Sequence, residues 1–365
     1  MPHVTWPQAL AWRLRRQLLE PIGGESVAAV VRRLGSVPAQ SESGAELAVR
    51  ARRQRSRQGE VARALADGAL IKTYAMRGAT HLLTPEDGGN YLALRASSRM
   101  WELPSWQQHY GLAPSDWPEL RRAVREALAD GPLTRAELAA AVTSGSRFGQ
   151  LRSALAGKSD TLLKPLAWQG ELTFGPAKDG QATFQRLADN PRWTGLPDVD
   201  EAGRRAVENY LGAYGPATVD HLHYWLGEGL GVGRKRITAW LAGLGDRVAT
   251  VDVDGQSVLV LSDHVDELAG PASASASASA SATVRLLPRY DQWVLGPGTA
   301  DPHVVPPAQR ALVSRGANIV IVGGVVSGTW AQQNGEVVVS WFERVAAPSA
   351  DVVAAEVARV AALLG

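Results

Sequence analysis

An eight-residue pattern occurs twice and governs how the middle of the chain folds. Gly131-Pro132-Leu133-Thr134-Arg135-Ala136-Glu137-Leu138 returns 84 residues later as Gly215-Pro216-Ala217-Thr218-Val219-Asp220-His221-Leu222, a shared G-P-x-T-x-x-x-L. Proline after glycine ends an incoming helix, and threonine then accepts a first-turn N–H. The acid two or three residues further on lies where the helix dipole favours it. Each copy therefore stops one helix and starts another. Amphipathic periodicity predicts incoming helices at Leu120 to Leu128 and Ala206 to Tyr214, and second helices at Thr161 to Trp168 and Arg234 to Leu241. Strand pairs follow, Glu171 to Phe174 with Ala182 to Phe184, and Val248 to Val253 with Ser257 to Leu261 around Asp254-Gly255. Helix, capped short helix, second helix and hairpin is the order of a winged helix-turn-helix.

The N-terminal segment reads as a third such unit. Helices are predicted at 6–19, Glu25 to Leu34, Ala45 to Arg57 and Gly59 to Ala66, then a hairpin of Leu70 to Met76 with Ala79 to Leu83. Thr84 caps the next helix, with Pro85 at its first position. Pro271 to Ala282, with its Ala-Ser repeat, reads as a low-complexity linker with no packing face. Past it, Val284 to Leu287, Ile319 to Val322, Val325 to Trp330 and Glu336 to Trp341 alternate or run apolar between Gly323-Gly324 and Asn334-Gly335 turns. They predict a small β sheet or barrel, to which the hairpin at 248–261 can also pair, and a last helix covers Ala350 to Leu364. The expected fold is α+β, three tandem winged helix-turn-helix domains (1–115, 116–190, 191–270) and a β-barrel-like C-terminal domain (271–365).

Composition narrows the function. No run of about 18 uncharged apolar residues suits a bilayer. The first twenty residues mix Trp6, Arg13, Arg15 and Arg16 with Glu20 and lack a secretory apolar centre, so a cytoplasmic, nucleoid-associated protein is expected. Zero cysteines exclude disulfides, a thiolate nucleophile and cysteine-bound zinc. The net charge of +2 divides as +7 over residues 1–100, 0 over 101–243 and −5 over 244–365, so the basic face is N-terminal. Only five of the 38 basic residues are lysine, and arginine's planar fork suits phosphate. An anionic polymer is the natural partner, although a GC-rich genome also enriches arginine.

Candidate contacts follow from position. Arg50, Arg52, Arg53, Arg55 and Arg57 form the densest basic run, read either as phosphate contacts or as a solvated face. Arg77 occupies the tip of the first hairpin, suited to a minor groove, and His81 beside it either reaches the DNA or is satisfied in the core. Arg234, Lys235 and Arg236 open a helix, where phosphates bind readily. His221 and His223 are two apart on a helix and diverge, so no metal is expected. Gly227 to Gly233 fits neither nucleotide fingerprint and reads as a turn; the twelve tryptophans read as core.

Four stretches in one order carry a family resemblance. LGSVPAQ at 34–40, YAMRGATHLLTPED at 74–87, GPATVDHLHYWLG at 215–227, and VRLLPRYDQWVLG with VVPP and VVSGTW resemble the winged helix DNA-binding domain family that contains the AlkZ and YcaQ DNA glycosylases. The resemblance spans nearly the whole chain. It implies three winged helices and a β domain wrapped around double-stranded DNA, acting on alkylated or crosslinked purines. Three winged helices in one chain need no dimer symmetry, so a monomer is expected, and hydrolysis without metal or other cofactor is the simpler scheme. It also implies that a Gln-Φ-Gln or Gln-Φ-Asp triplet stands at Pro38-Ala39-Gln40. Gln40 matches the last position, whereas Pro38 has neither an amide side chain nor an N–H. Gln40 is then the expected catalytic residue, and Glu42 a candidate substitute base. The alternatives are a loop or cap role for Gln40, and a non-catalytic lesion sensor or regulator that has lost half of the triplet.

Overall fold

The computed structural model describes residues 3–270, 277, 280–343 and 348–365; most of the Ala-Ser repeat lies outside the described residues. The chain packs into two compact units, one of residues 1–63, 204–228 and 233–365, the other of residues 64–203 and 229–232. No helix among the described residues is long and apolar enough to cross a membrane.

Both copies of the repeat cap helices as their residues require. Thr134 Oγ1 accepts from Glu137 N at 3.3 Å and Glu137 Oε2 accepts from Thr134 N at 2.8 Å, a reciprocal cap on helix Arg135–Thr143. In the second copy Thr218 Oγ1 accepts from His221 N at 3.1 Å, and Thr218 N donates to His221 Nδ1 at 3.3 Å. An imidazole takes the carboxylate's place, which needs an unprotonated Nδ1, and burial lowers the His221 pKa and so favours the neutral ring. In each copy the residue before the threonine pairs with the returning strand of the hairpin, Leu133 with Phe184 and Ala217 with Leu259.

The predicted elements form with shifted ends. The incoming helices are Trp117–Ala127 and Val199–Tyr214, the second helices Leu163–Trp168 and Arg234–Leu244. The hairpins pair Leu172–Lys178 with Gln181–Arg186 and Val248–Val253 with Gln256–Leu261. The N-terminal part holds helices Trp6–Arg16, Val27–Leu34, Glu42–Arg50 and Glu60–Ala66, hairpin Ile71–Tyr74 with Thr80–Leu83, and helix Pro85–Ala96. The helix expected to reach Arg57 stops at Arg50, because the next residues bond elsewhere: Gly23 N donates to Arg52 O at 3.2 Å and Gln54 N to Gly23 O at 2.8 Å. Thr84 holds the N-cap position with Pro85 first in the helix, as expected, but its hydroxyl donates to Asp87 Oδ2 at 2.9 Å instead of accepting a first-turn N–H. Tryptophans fill the core, with Trp12, Trp117, Trp168, Trp240 and Trp293 each 2% exposed or less.

The C-terminal strands form an open antiparallel sheet in the order Val284–Leu287, Ile319–Val322, Val325–Gln333, Glu336–Trp341, and the expected barrel does not form. Alternation puts Ile319 and Ile321 against Leu10, Leu14 and Trp293 on one face, and Val320 against Leu47, Leu286 and Val360 on the other. A sheet covered on both faces has no need to curl on itself. Its first strand is also closed off, since Leu286 N donates to the buried Glu356 carboxylate of helix Ala350–Leu364 at 2.9 Å. The hairpin at 248–261 does not join this sheet but pairs with His3–Val4, in parallel.

Candidate active site

The segment that ends at Gln40 is built against the core residue by residue. Helix Val27–Leu34 stops at Gly35, whose φ of 75° is cheap only for glycine. Ser36 and Val37 are fully buried, and Val37–Pro38 runs extended. Ser41 then caps helix Glu42–Arg50, its Oγ accepting from Gly44 N at 3.1 Å. Gln40 is exposed immediately before that cap, and Glu42 is exposed at the first helical position. An amide and a carboxylate therefore flank one helix N-terminus at the surface.

Two distant stretches of sequence converge behind this segment. Tyr214 OH donates to Leu34 O at 2.6 Å, and Gln292 Nε2 donates to Ser36 Oγ at 2.9 Å. Asp291 binds both ends of the Arg52 fork, Oδ1 to Nη2 at 2.6 Å and Oδ2 to Nη1 at 2.9 Å, with both side chains at 0% exposure. Gly296 lies so close to the Tyr214 ring that a Cβ there would meet Cε1 at 2.1 Å. Asp291 also caps its own short helix Gln292–Leu295, Oδ1 accepting from Trp293 N at 2.8 Å. In the sequence the Asp291-Gln292 pair carries no role of its own, and its one signal is an acid and an amide set inside an apolar stretch.

Several expected DNA contacts are structural instead. Arg52 is locked to Asp291 and also donates to Ala48 O at 2.8 Å. Arg50 is buried and donates to Leu363 O at 2.7 Å; Arg53 donates to Glu25 O at 2.8 Å and pairs with Glu60. The chain leaves the helix after Arg50, so the run does not present one surface, and Arg55 and Arg57 alone of the five are exposed. Arg77 is exposed at the hairpin tip with a left-handed φ of 52°. Arg234, Lys235 and Arg236 are exposed in the first turn of helix Arg234–Leu244, where Arg234 pairs with Asp220 at 2.8 Å.

His81 does not reach the surface. It is 4% exposed with Nδ1 3.0 Å from Ala79 O, and burial lowers its pKa to about 4, opposed by that hydrogen bond and assisted by Arg77. The neutral form is favoured on folding, so its stabilisation is complete above the ordinary value near 6.5 and is lost as pH falls from there towards 4. That loss is expected to reach about 2–3 kcal/mol by pH ~4.5. Denaturant unfolding of wild type and His81→Gln at pH 7 and pH 4.5 checks it: the variant should lose less stability on acidification, and equal losses would contradict a buried neutral imidazole.

The family model for AlkZ-like DNA glycosylases matches residues 31–363. An interstrand DNA cross-link repair glycosylase of Streptomyces sahachiroi is 38% identical over 364 residues, covering 97% of this chain and 96% of the relative. The solved structure of Streptomyces sahachiroi DNA glycosylase AlkZ superposes with a TM-score of 0.92 at 37% identity, covering 100% of this chain and 97% of that one.

Proposed function

The chain belongs to the AlkZ-like DNA glycosylase family, and from that premise we propose that it hydrolyses the N-glycosidic bond of alkylated or crosslinked purines in double-stranded DNA. The observation that carries the reading is Gln40, exposed at a helix start on a segment tied into the core. Hydrolysis of an alkylated nucleoside passes through an oxocarbenium-like sugar, and its leaving base is already cationic, so a general acid has little to do. What remains is to aim a water and to stabilise positive charge on the sugar. The Gln40 carbonyl accepts from a water and presents its dipole to that charge, and the Glu42 carboxylate adds a stronger acceptor beside it. The first lysine in the chain is Lys72, and we assign a single hydrolytic step without a Schiff base.

We read the three helix-and-hairpin modules as winged helices that bind duplex DNA within one chain, as a monomer in the cytoplasm. Arg55, Arg57, Arg77, Lys235 and Arg236 are the proposed phosphate contacts, each exposed. Three to five such contacts give a slope of about −3 to −5 in log affinity against log salt. Titration of a fluorescent duplex across salt concentrations measures that slope, and a flat dependence would remove these residues from the interface. The reaction itself is tested by release of 7-methylguanine from alkylated duplex by wild type, Gln40→Ala and Glu42→Ala. Gln40→Ala should release the base about 100- to 1,000-fold more slowly than wild type; equal release by all three would end the assignment.

A further inference from the structure

The Gln40 segment is gripped on both sides by one adjacent pair of residues. Ser36, four residues before Gln40, accepts from Gln292 Nε2 at 2.9 Å, and Arg52, twelve residues after it, is held by the neighbouring Asp291 at 2.6 and 2.9 Å. All four side chains are buried, and helix Glu42–Arg50 lies between the two grips. The short helix that carries the pair is itself fixed by the Asp291 cap and by Trp293 Nε1, which donates to Gly324 O at 2.8 Å.

Stability alone does not account for Gln292. It is 3% exposed, and its Oε1 has no hydrogen-bond partner among the described residues. A half-satisfied buried amide is costly, and an apolar side chain of similar length would suit such a core position better. What the amide does supply is one directed bond to the Ser36 hydroxyl, on the stretch that leads to Gln40. A carbonyl that must aim a water gains from such a grip, because displacement by about 1 Å can slow a reaction ~100-fold.

We propose that Asp291 and Gln292 are positioning residues for Gln40, fixing its segment from either side so that the exposed amide keeps one orientation. The inference rests on the reading of Gln40 as the reacting residue. Gln292→Met is expected to slow single-turnover release of 7-methylguanine about 10- to 100-fold while Kd for the same duplex stays within about twofold. In a Gln40→Ala background the same substitution is expected to slow release no further, since residues acting through one group are not additive. Amide hydrogen exchange over residues 39–44 should quicken at least ~10-fold in Gln292→Met, a readout that needs no activity.

An undiminished slowing in the Gln40→Ala background, an unchanged release rate, or unchanged exchange at 39–44 would each overturn the positioning role while leaving Gln40 in the reaction. Wild-type release by Gln40→Ala alone would instead remove the glutamine, and the grip with it. Should Gln292→Met not fold, Ser36→Ala removes the same bond from the other side, leaves the Asp291–Arg52 pair in place, and carries the same outcomes.

Discussion

Arg52→Ala is expected to lower the free energy of unfolding by about 3–5 kcal/mol, a large share of the 5–15 kcal/mol typical of a folded protein. The cause is what is left behind. Asp291 is 1% exposed, and without the guanidinium its carboxylate is a buried charge facing no cation where two hydrogen bonds had been. The Ala48 carbonyl loses its donor as well. Removing both partners at once, Arg52→Met with Asp291→Leu, should recover much of the loss, because a well-packed apolar pair costs less than an orphaned charge. Arg55→Ala, at an exposed position in the same run, should stay within about 0.5 kcal/mol of wild type. Denaturant midpoints for these variants decide the matter, and a cost below ~1 kcal/mol for Arg52→Ala would mean that the pair is solvated.

Gln40→Ala is expected to reduce the single-turnover release rate by about 100- to 1,000-fold, corresponding to roughly 3–4 kcal/mol of transition-state stabilisation. Because Gln40 is exposed and outside the helical hydrogen bonds of Glu42–Arg50, its loss should leave the denaturation midpoint where it is. Its loss should likewise leave the affinity for duplex DNA nearly unchanged, since the proposed phosphate contacts lie on other residues. The informative result is therefore a fall in rate at saturating protein with Kd preserved. A variant that binds weakly yet reacts at full speed once bound would assign Gln40 to recognition and not to bond cleavage.

Local chemistry was legible throughout. The threonine caps at Thr134 and Thr218, the four C-terminal strands and helix Ala350–Leu364 appear where caps, turns and periodicity put them. The exposed place of Gln40, just ahead of a serine cap, also follows from residues within four positions of it. The arginine contacts that proved structural share one origin, which is that charge does not state its own partner. Five arginines in eight positions look alike in a sequence, and whether one meets solvent or a carboxylate depends on a residue 239 positions away in the case of Arg52.

By itself the sequence determined the elements, their order and the residues eligible for chemistry, because capping, pleat and turn energies act between near neighbours. The tertiary structure alone decided which eligible residues remain available. It buried Arg52 against Asp291 and tied Ser36 to Gln292. It also kept the last sheet open, with Glu356 holding the N–H of Leu286 from 70 positions away. Burial and long-range pairing are properties of the packed chain: a polar group removed from water must find a partner wherever the fold brings one, and nothing in the adjacent residues specifies where that is.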